Sequence, residues 1–506
     1  MVDAPAPAAG PPDSAGGSRV AKNVVWLTAS QLFTWSLALV LAFVLPRHLG
    51  ASAVGRLYFA QSLWALASAA VAFGTDTAIT KAVARDASTA VDLTGRATAA
   101  RVALLAVAWP TLVGVLALAG ADGEKIRLVA VIGLGSSIGL LIGPLRAALQ
   151  GVERMHVLSI GDMTIKAVLV VAVVALVALD RSVVVVAAAW VLSAACGAAV
   201  VYAAGRRATP VRLWARPAMV RATLGLGLPY LLLEGGRILY QQIDTVVISM
   251  LVDDRTVGWY GTADQIYRTM FFVPSVVLAA LFPVFARLPT RPVHEVEQVL
   301  GDCVAFTYVV AVPLGLGLVV LGPRLATFVF GDGFAGTGRT LAVFGAALVP
   351  TYLATLLGYV ATAMDRVRVW VRLMFGAAAA TFVLDLLLVP WADRRFGNGA
   401  IGGALSYVLT ELVIVAVGAS TLGVRLVRAP LIAVMLKATV AGAVMSVLVW
   451  LSRDLPLLVP IAIGAVVYPV AVLVSGAVDA RRRELLRDAV RSLRAPRPEE
   501  VMSDAG

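Results

Sequence analysis

Glu234, Arg237, Gln241 and Asp244 are spaced three, four and three residues apart, which puts them on one face of a helix. Tyr260, Asp264, Tyr267 and Arg268 share a face of the next helical stretch in the same way. Carboxylates, guanidiniums, amides and phenols hold ions and polar ligands through reversible charge-assisted hydrogen bonds, and they also pair with one another. Glu234 with Arg237, and Asp264 with Arg268, are placed to neutralise each other within one helix. Asp244 has no basic residue one turn away in its own helix, so internal pairing explains it least.

Other chemistries lack their residues. Cys196 and Cys303 form neither a disulfide framework nor a metal-ligand spacing, and His48, His156 and His294 lie singly in connecting segments. No metal or cofactor site is expected. None of the five lysines follows a glycine, which excludes a GxxxxGK phosphate loop. No histidine sits where an acid could orient it beside a nucleophilic serine. Connecting loops of about 20 residues or fewer leave little chain for a glycosyltransferase or polymerase site outside the membrane.

The elements that must position the two polar faces are membrane helices. Of 506 residues, 60% are hydrophobic and 14% charged, against about 25% charged in an ordinary soluble domain. A soluble fold cannot bury that much apolar surface. Stretches long enough for a bilayer core lie near 24–45, 57–78, 102–120, 126–149, 163–179, 182–204, 228–252, 257–286, 303–321, 340–364, 373–390, 401–418, 431–451 and 457–477. This is an all-α polytopic membrane protein of fourteen transmembrane helices. The net charge of +12 is read as topogenic and not as a nucleic-acid face. The segment 205–227 holds Arg206, Arg207, Arg212, Arg216 and Arg221 and no acid, which assigns it, with both termini, to the cytoplasm.

The expected organisation is a disordered cytoplasmic lead-in (1–22), a six-helix bundle (23–204), the basic linker (205–227), a second six-helix bundle (228–418), an appended helix pair (431–477) and a basic tail (478–506). Within the tail, Leu486, Val490 and Leu493 share a helical face suited to anionic headgroups. Asp76, Lys81, Asp162, Lys166, Asp385 and Glu411 lie nearer span ends, where snorkelling accounts for them. Arg146 follows the backbone opening at Gly143-Pro144. Gly135, Gly139 and Gly143 read as close helix contact.

An offset of 203 residues lays the first two spans on the seventh and eighth without a gap. Val54-Gly55 then falls on Val257-Gly258, Gln31 on Glu234, Gln61 on Asp264 and Trp64 on Tyr267. Six intervening helices keep the copies in one direction, which implies two pseudo-repeats about a two-fold along the membrane normal, with a cavity between them. Amides in the first copy become carboxylates in the second, so charge gathers on spans seven and eight. An ionised side chain at mid-bilayer costs roughly 2.5–3.5 kcal/mol, so these side chains should face a partner or a water-filled cavity.

Arg47, Leu49, Gly50, Gly55, Tyr58, Gly74 and Arg85 match the opening pattern of a known family. Ile243-Asp244, Val257-Gly258-x-Tyr260 and Phe282-Pro283 resemble its second-half signature, and VFGDGFAGTGRTLAVF with VPWADRRFGNGAIGGALSYVLTE is similar to its third block. Together these blocks cover most of residues 20–418. The sequence thus resembles the polysaccharide-biosynthesis, or oligosaccharide flippase, family of the multidrug/oligosaccharidyl-lipid/polysaccharide exporter superfamily. The resemblance implies a bacterial cell-membrane transporter, not an enzyme, that moves a polyprenyl-pyrophosphate-linked sugar or oligosaccharide from inner to outer leaflet. It implies polysaccharide-assembly proteins as partners, no nucleic acid, and Na+ or H+ as coupling ion. Arg237 and Arg268 are then candidates for the anionic headgroup, with Gln31, Gln61, Gln241, Tyr260 and Tyr267 beside them. Asp244 is the candidate for the ion, with Glu234 and Asp264. The lipid II flippase branch carries arginines in its first helix; residues 24–45 here have none, which points away from a peptidoglycan precursor. A multidrug/cation antiporter is the alternative on the same fold, and a membrane glycosyltransferase or polymerase is a remote one.

Overall fold

The computed structural model describes residues 14–206, 217–271, 274, 293–424 and 429–476. Among the described residues every regular element is helical, and fourteen α-helices follow one another. They are α1 (Ser14–Ala72), α2 (Thr75–Arg85), α3 (Ala90–Leu118), α4 (Gly123–Gly151), α5 (Met155–Ala178), α6 (Val183–Gly205) and α7 (Pro217–Leu251). Then come α8 (Asp254–Thr269), α9 (Val293–Phe330), α10 (Ala335–Ala363), α11 (Val367–Phe396), α12 (Gly399–Leu422), α13 (Ala429–Leu451) and α14 (Leu458–Val474). Ten of these are long and apolar enough to cross a membrane, and α14 is a shorter apolar helix. The all-α multi-pass architecture expected from composition is the one that forms. In hydrocarbon a helix satisfies its own backbone polar groups, which an open strand cannot. Val107, Leu118, Val171, Leu387, Leu436 and Val447 are each more than half exposed, as a lipid-facing surface requires.

Most of the helices run past their apolar stretches at one or both ends, whereas α14 stays within its own. The first two spans form one helix, α1, broken at Gly50 (φ 77, ψ 168). Only glycine adopts that backbone conformation without strain. The helix starts at Ser14, earlier than a lead-in over 1–22 expects, and residues 1–13 and 477–506 lie outside the described residues. The basic segment 205–227 ends inside α7, which begins at Pro217, while 207–216 lie outside the described residues. The eighth span is α8 as far as Thr269; most of its second half lies outside them too.

The chain divides into two compact units: Met1–Leu49 with Leu63–Gly235, and Gly50–Ser62 with Gly236–Gly506. In the first unit α4 packs against α2, α3 and α6. Trp64 Nε1 donates to the Val129 carbonyl at 2.7 Å, and its ring occupies the space a side chain at Gly133 would need. Arg101, 1% exposed, donates to the Leu140 carbonyl (2.6 Å), to Thr75 Oγ1 (3.0 Å) and to Asp76 Oδ1 (2.7 Å). Gly143 leaves room for that guanidinium and Gly135 lies against the α6 backbone, whereas nothing approaches Gly139.

The second unit is built on α8, α10 and α12, around the buried rings of Tyr240, Tyr260, Tyr267, Phe344 and Tyr407. The Gly50–Ser62 segment of α1 lies against α8. A Cβ at Gly55 would fall 1.8 Å from the Asp254 carbonyl oxygen, and one at Gly258 would fall 2.0 Å from the Ala51 carbonyl oxygen. Arg56 pairs with Asp254 at 3.0 Å, and Tyr58 OH donates to Gln265 Oε1 at 2.5 Å. Because backbone, not a flexible side chain, fills the space, Gly55→Ala should lower stability by about 1–3 kcal/mol, the usual cost of overpacking. Thermal unfolding in detergent checks this, and an unchanged midpoint would mean the crossing yields freely.

Candidate functional site

In the second unit, buried side chains of α7 and α8 meet side chains of α10, α11 and α12. Tyr240 and Asp244 are one turn apart on α7, and both are buried. Tyr260 OH on α8 donates to Asp244 Oδ2 at 2.6 Å. On α11, Asp385 stands beside Asp244. On α12, Glu411 Oε1 accepts from Tyr240 OH at 2.8 Å. Tyr267 OH donates to Thr351 Oγ1 on α10 at 2.7 Å. Thr381 Oγ1 of α11 donates to Thr410 Oγ1 of α12 at 3.0 Å, and Ser406 Oγ donates to the Thr381 carbonyl at 3.2 Å, joining the two helices by polar contacts at this depth.

The three carboxylates are deeply placed, with Asp244 3%, Asp385 0% and Glu411 3% exposed. Asp244 Oδ1, both oxygens of Asp385 and Glu411 Oε2 make no hydrogen bond among the described residues. Buried polar atoms without partners are rare and costly in native folds. Two adjacent carboxylates in low dielectric need a cation or a proton between them. Arg268, whose positive charge acts on Asp244, is held elsewhere: its Nε donates to Asp264 Oδ2 at 2.6 Å and its Nη2 to the Gln241 carbonyl at 2.9 Å. The arrangement suits binding a small cation or a proton. Among the described residues no three His, Cys, Asp or Glu side chains form a metal cluster.

The residues singled out by spacing separate into groups. Asp244, Tyr260 and Tyr267 lie in the buried network. Asp264 and Arg268 form the within-helix ion pair their spacing allows. Arg237 is exposed on α7 and donates through Nη1 to Gln241 Oε1 at 2.9 Å. Gln61 is half-buried in the second unit, whereas Gln31 and Glu234 are exposed and belong to the first.

Two site residues escaped the sequence reading. Asp385 and Glu411 do not snorkel. Asp385 sits well inside α11, which runs to Phe396, past the end of its apolar stretch, and Glu411 is central in α12. The four-residue steps Thr381–Asp385 and Ser406–Thr410 were the available signal. In the first unit Asp76 and Asp162 are also ion-paired: Asp76 with buried Arg101, and Asp162 with Arg146 at 2.7 Å. Lys81 lies over the Tyr230 ring, 4.8 Å from its centre.

Comparison with known proteins agrees with this arrangement of helices. The chain is similar in fold to a lipid II flippase, MurJ, in an inward closed conformation, with a TM-score of 0.73 at 13% identity over 92% of this chain and 100% of that one. It is also similar to an inward-facing multidrug resistance MATE transporter of the MOP superfamily, with a TM-score of 0.60 at 15% identity over 79% of this chain and 98% of the other. A probable low-salt glycan biosynthesis flippase, Agl15 of Haloferax volcanii, is 20% identical over 181 residues, which make up 35% of this chain and 38% of that relative. The match thus spans well under half the length of that curated relative. The family model described as polysaccharide biosynthesis protein matches residues 20–289, just over half of the sequence. The chain therefore belongs to the polysaccharide biosynthesis protein family.

Proposed function

We propose that this protein is a flippase that carries a polyprenyl-(pyro)phosphate-linked sugar or oligosaccharide from the inner to the outer leaflet for cell-surface polysaccharide assembly. In this reading it lies in a bacterial cell membrane with both termini in the cytoplasm and works beside polysaccharide-assembly proteins. A glycan headgroup cannot cross hydrocarbon unaided, because each stranded hydroxyl loses its water. Side chains of the membrane helices must replace that water while the prenyl tail stays in lipid. Arg268 and Arg237 are assigned to the anionic phosphates, with Gln31, Gln61 and Gln241 offering amides to the sugar. Asp244, with Asp385, is assigned to the coupling ion, Na+ or H+. An inside-negative potential adds about 2.3 kcal/mol per charge per 100 mV to inward movement of that cation.

The observation that carries this reading is a buried carboxylate pair, three of whose four oxygens make no hydrogen bond among the described residues, in a chain of the polysaccharide biosynthesis family. The match to a glycan biosynthesis flippase supports the substrate class. The likeness to a multidrug transporter favours a second reading, efflux of amphipathic cations. Arg237 and Arg268 disfavour it, since they place positive charge where such a substrate would sit. Purified protein in vesicles separates the two. A fluorescent polyprenyl-pyrophosphate oligosaccharide should change leaflet, as read by a membrane-impermeant quencher, and a cationic dye should not accumulate. Dye accumulation without lipid transfer would reverse the assignment.

A further inference from the structure

Glu411 is not needed for the ion assigned to Asp244, yet it is as deeply buried. Its Oε1 takes the Tyr240 hydroxyl at 2.8 Å, and its Oε2 makes no hydrogen bond among the described residues. The rings around it are fixed. Tyr240 stacks on Tyr407 with centroids 5.8 Å apart, and Tyr407 meets the edge of Tyr267 at 5.7 Å. Thr351 accepts from Tyr267, so its own hydroxyl hydrogen is available to point toward Glu411, as is that of Tyr407.

We infer that Glu411 and the hydroxyls of Tyr240, Thr351 and Tyr407 form a proton-binding site separate from the Asp244–Asp385 pair. A hydronium ion of the solvent supplies the proton, which adds to Oε2 and leaves water, and the carboxylate loses its charge. A metal cation does not suit the position. Hard cations gather several anionic or carbonyl oxygens, whereas Glu411 is a single carboxylate among hydroxyls, with the Asp244–Asp385 pair as the better cation seat. The ionisable and charged groups facing Glu411 are few: Tyr240 and, further off, Asp244 from α7; Tyr267 from α8; and Tyr407 from its own helix, which also feels Arg268. From α10 comes the Thr351 hydroxyl, and Asp385 of α11 lies against Asp244. Because Tyr240 and Asp244 are one turn apart on α7, protonation of Glu411 and occupancy of the aspartate pair can influence each other through that helix.

Infrared spectra of the purified full-length protein in lipid, with neither substrate nor gradient, test this independently of the transport reading. Wild type should show a protonated-carboxyl C=O band that shifts in D2O. The band should survive in the Asp244→Asn/Asp385→Asn variant and vanish in Glu411→Gln. Tyr240→Phe, which removes only the donor to Oε1, should move its frequency. A Glu411→Gln spectrum identical to wild type, or a band indifferent to Tyr240→Phe, would overturn the proposal. A failed flipping assay would not touch it.

Discussion

Asp244→Asn is expected to lower gradient-driven transport by about 100-fold or more, while thermal stability stays unchanged or rises. Removing one partner from a buried charged set costs roughly 3–5 kcal/mol of interaction. At 1.4 kcal/mol per tenfold, that is about 100- to 4,000-fold in cation affinity. Without the cation the same substitution removes a buried carboxylate whose Oδ1 has no hydrogen bond among the described residues, so the fold gains or loses little. Asp385→Asn should behave alike, because neither of its oxygens is hydrogen-bonded there. Transport in vesicles, normalised to folded protein, reads the first effect and a melting curve reads the second. If activity fell only in proportion to lost folded protein, Asp244 would be a structural residue.

Arg268→Ala should weaken lipid-linked substrate about 10- to 100-fold, through loss of charged hydrogen bonds that contribute roughly 1.5–3 kcal/mol. The side chain is 37% exposed, and Nη1 makes no hydrogen bond among the described residues. Asp264 and the Gln241 carbonyl hold the other nitrogens, so the guanidinium is aimed before a ligand arrives. Arg268→Lys should fall between wild type and Ala, since it keeps the charge and loses the two-pronged geometry. The half-saturating concentration of labelled lipid in the vesicle assay measures both. An Arg268→Ala protein with wild-type saturation would take this residue out of headgroup recognition.

How far the site could be read from sequence depended on where each residue sat relative to its helix. Asp244 stood out because its own helix offers no basic neighbour, and its partner Tyr260 shared the face read from spacing. The Asp264–Arg268 pair was legible for the same reason, as an i, i+4 contact. Asp385 was not. Hydropathy sees a helix only as far as its apolar stretch, and α11 continues to Phe396, so a central residue looked peripheral. Burial of Glu411 depends on Tyr240 of α7 packing against it and against Tyr407, a tertiary fact with no local signature. At Gly55 and Gly258 the reverse holds. The 203-residue offset pairs Gly55 with Gly258 and Ala51 with Asp254, and each glycine lies against the residue four before the other.

The most direct test of cation-driven flipping at Asp244 is the rate of leaflet transfer of a polyprenyl-pyrophosphate oligosaccharide in vesicles with and without an imposed inward Na+ or H+ gradient. A rate that rises with one of the gradients, returns to baseline when an ionophore dissipates it, and stays at baseline in Asp244→Asn is the expected result. Equal rates with and without either gradient in the wild-type protein would contradict it.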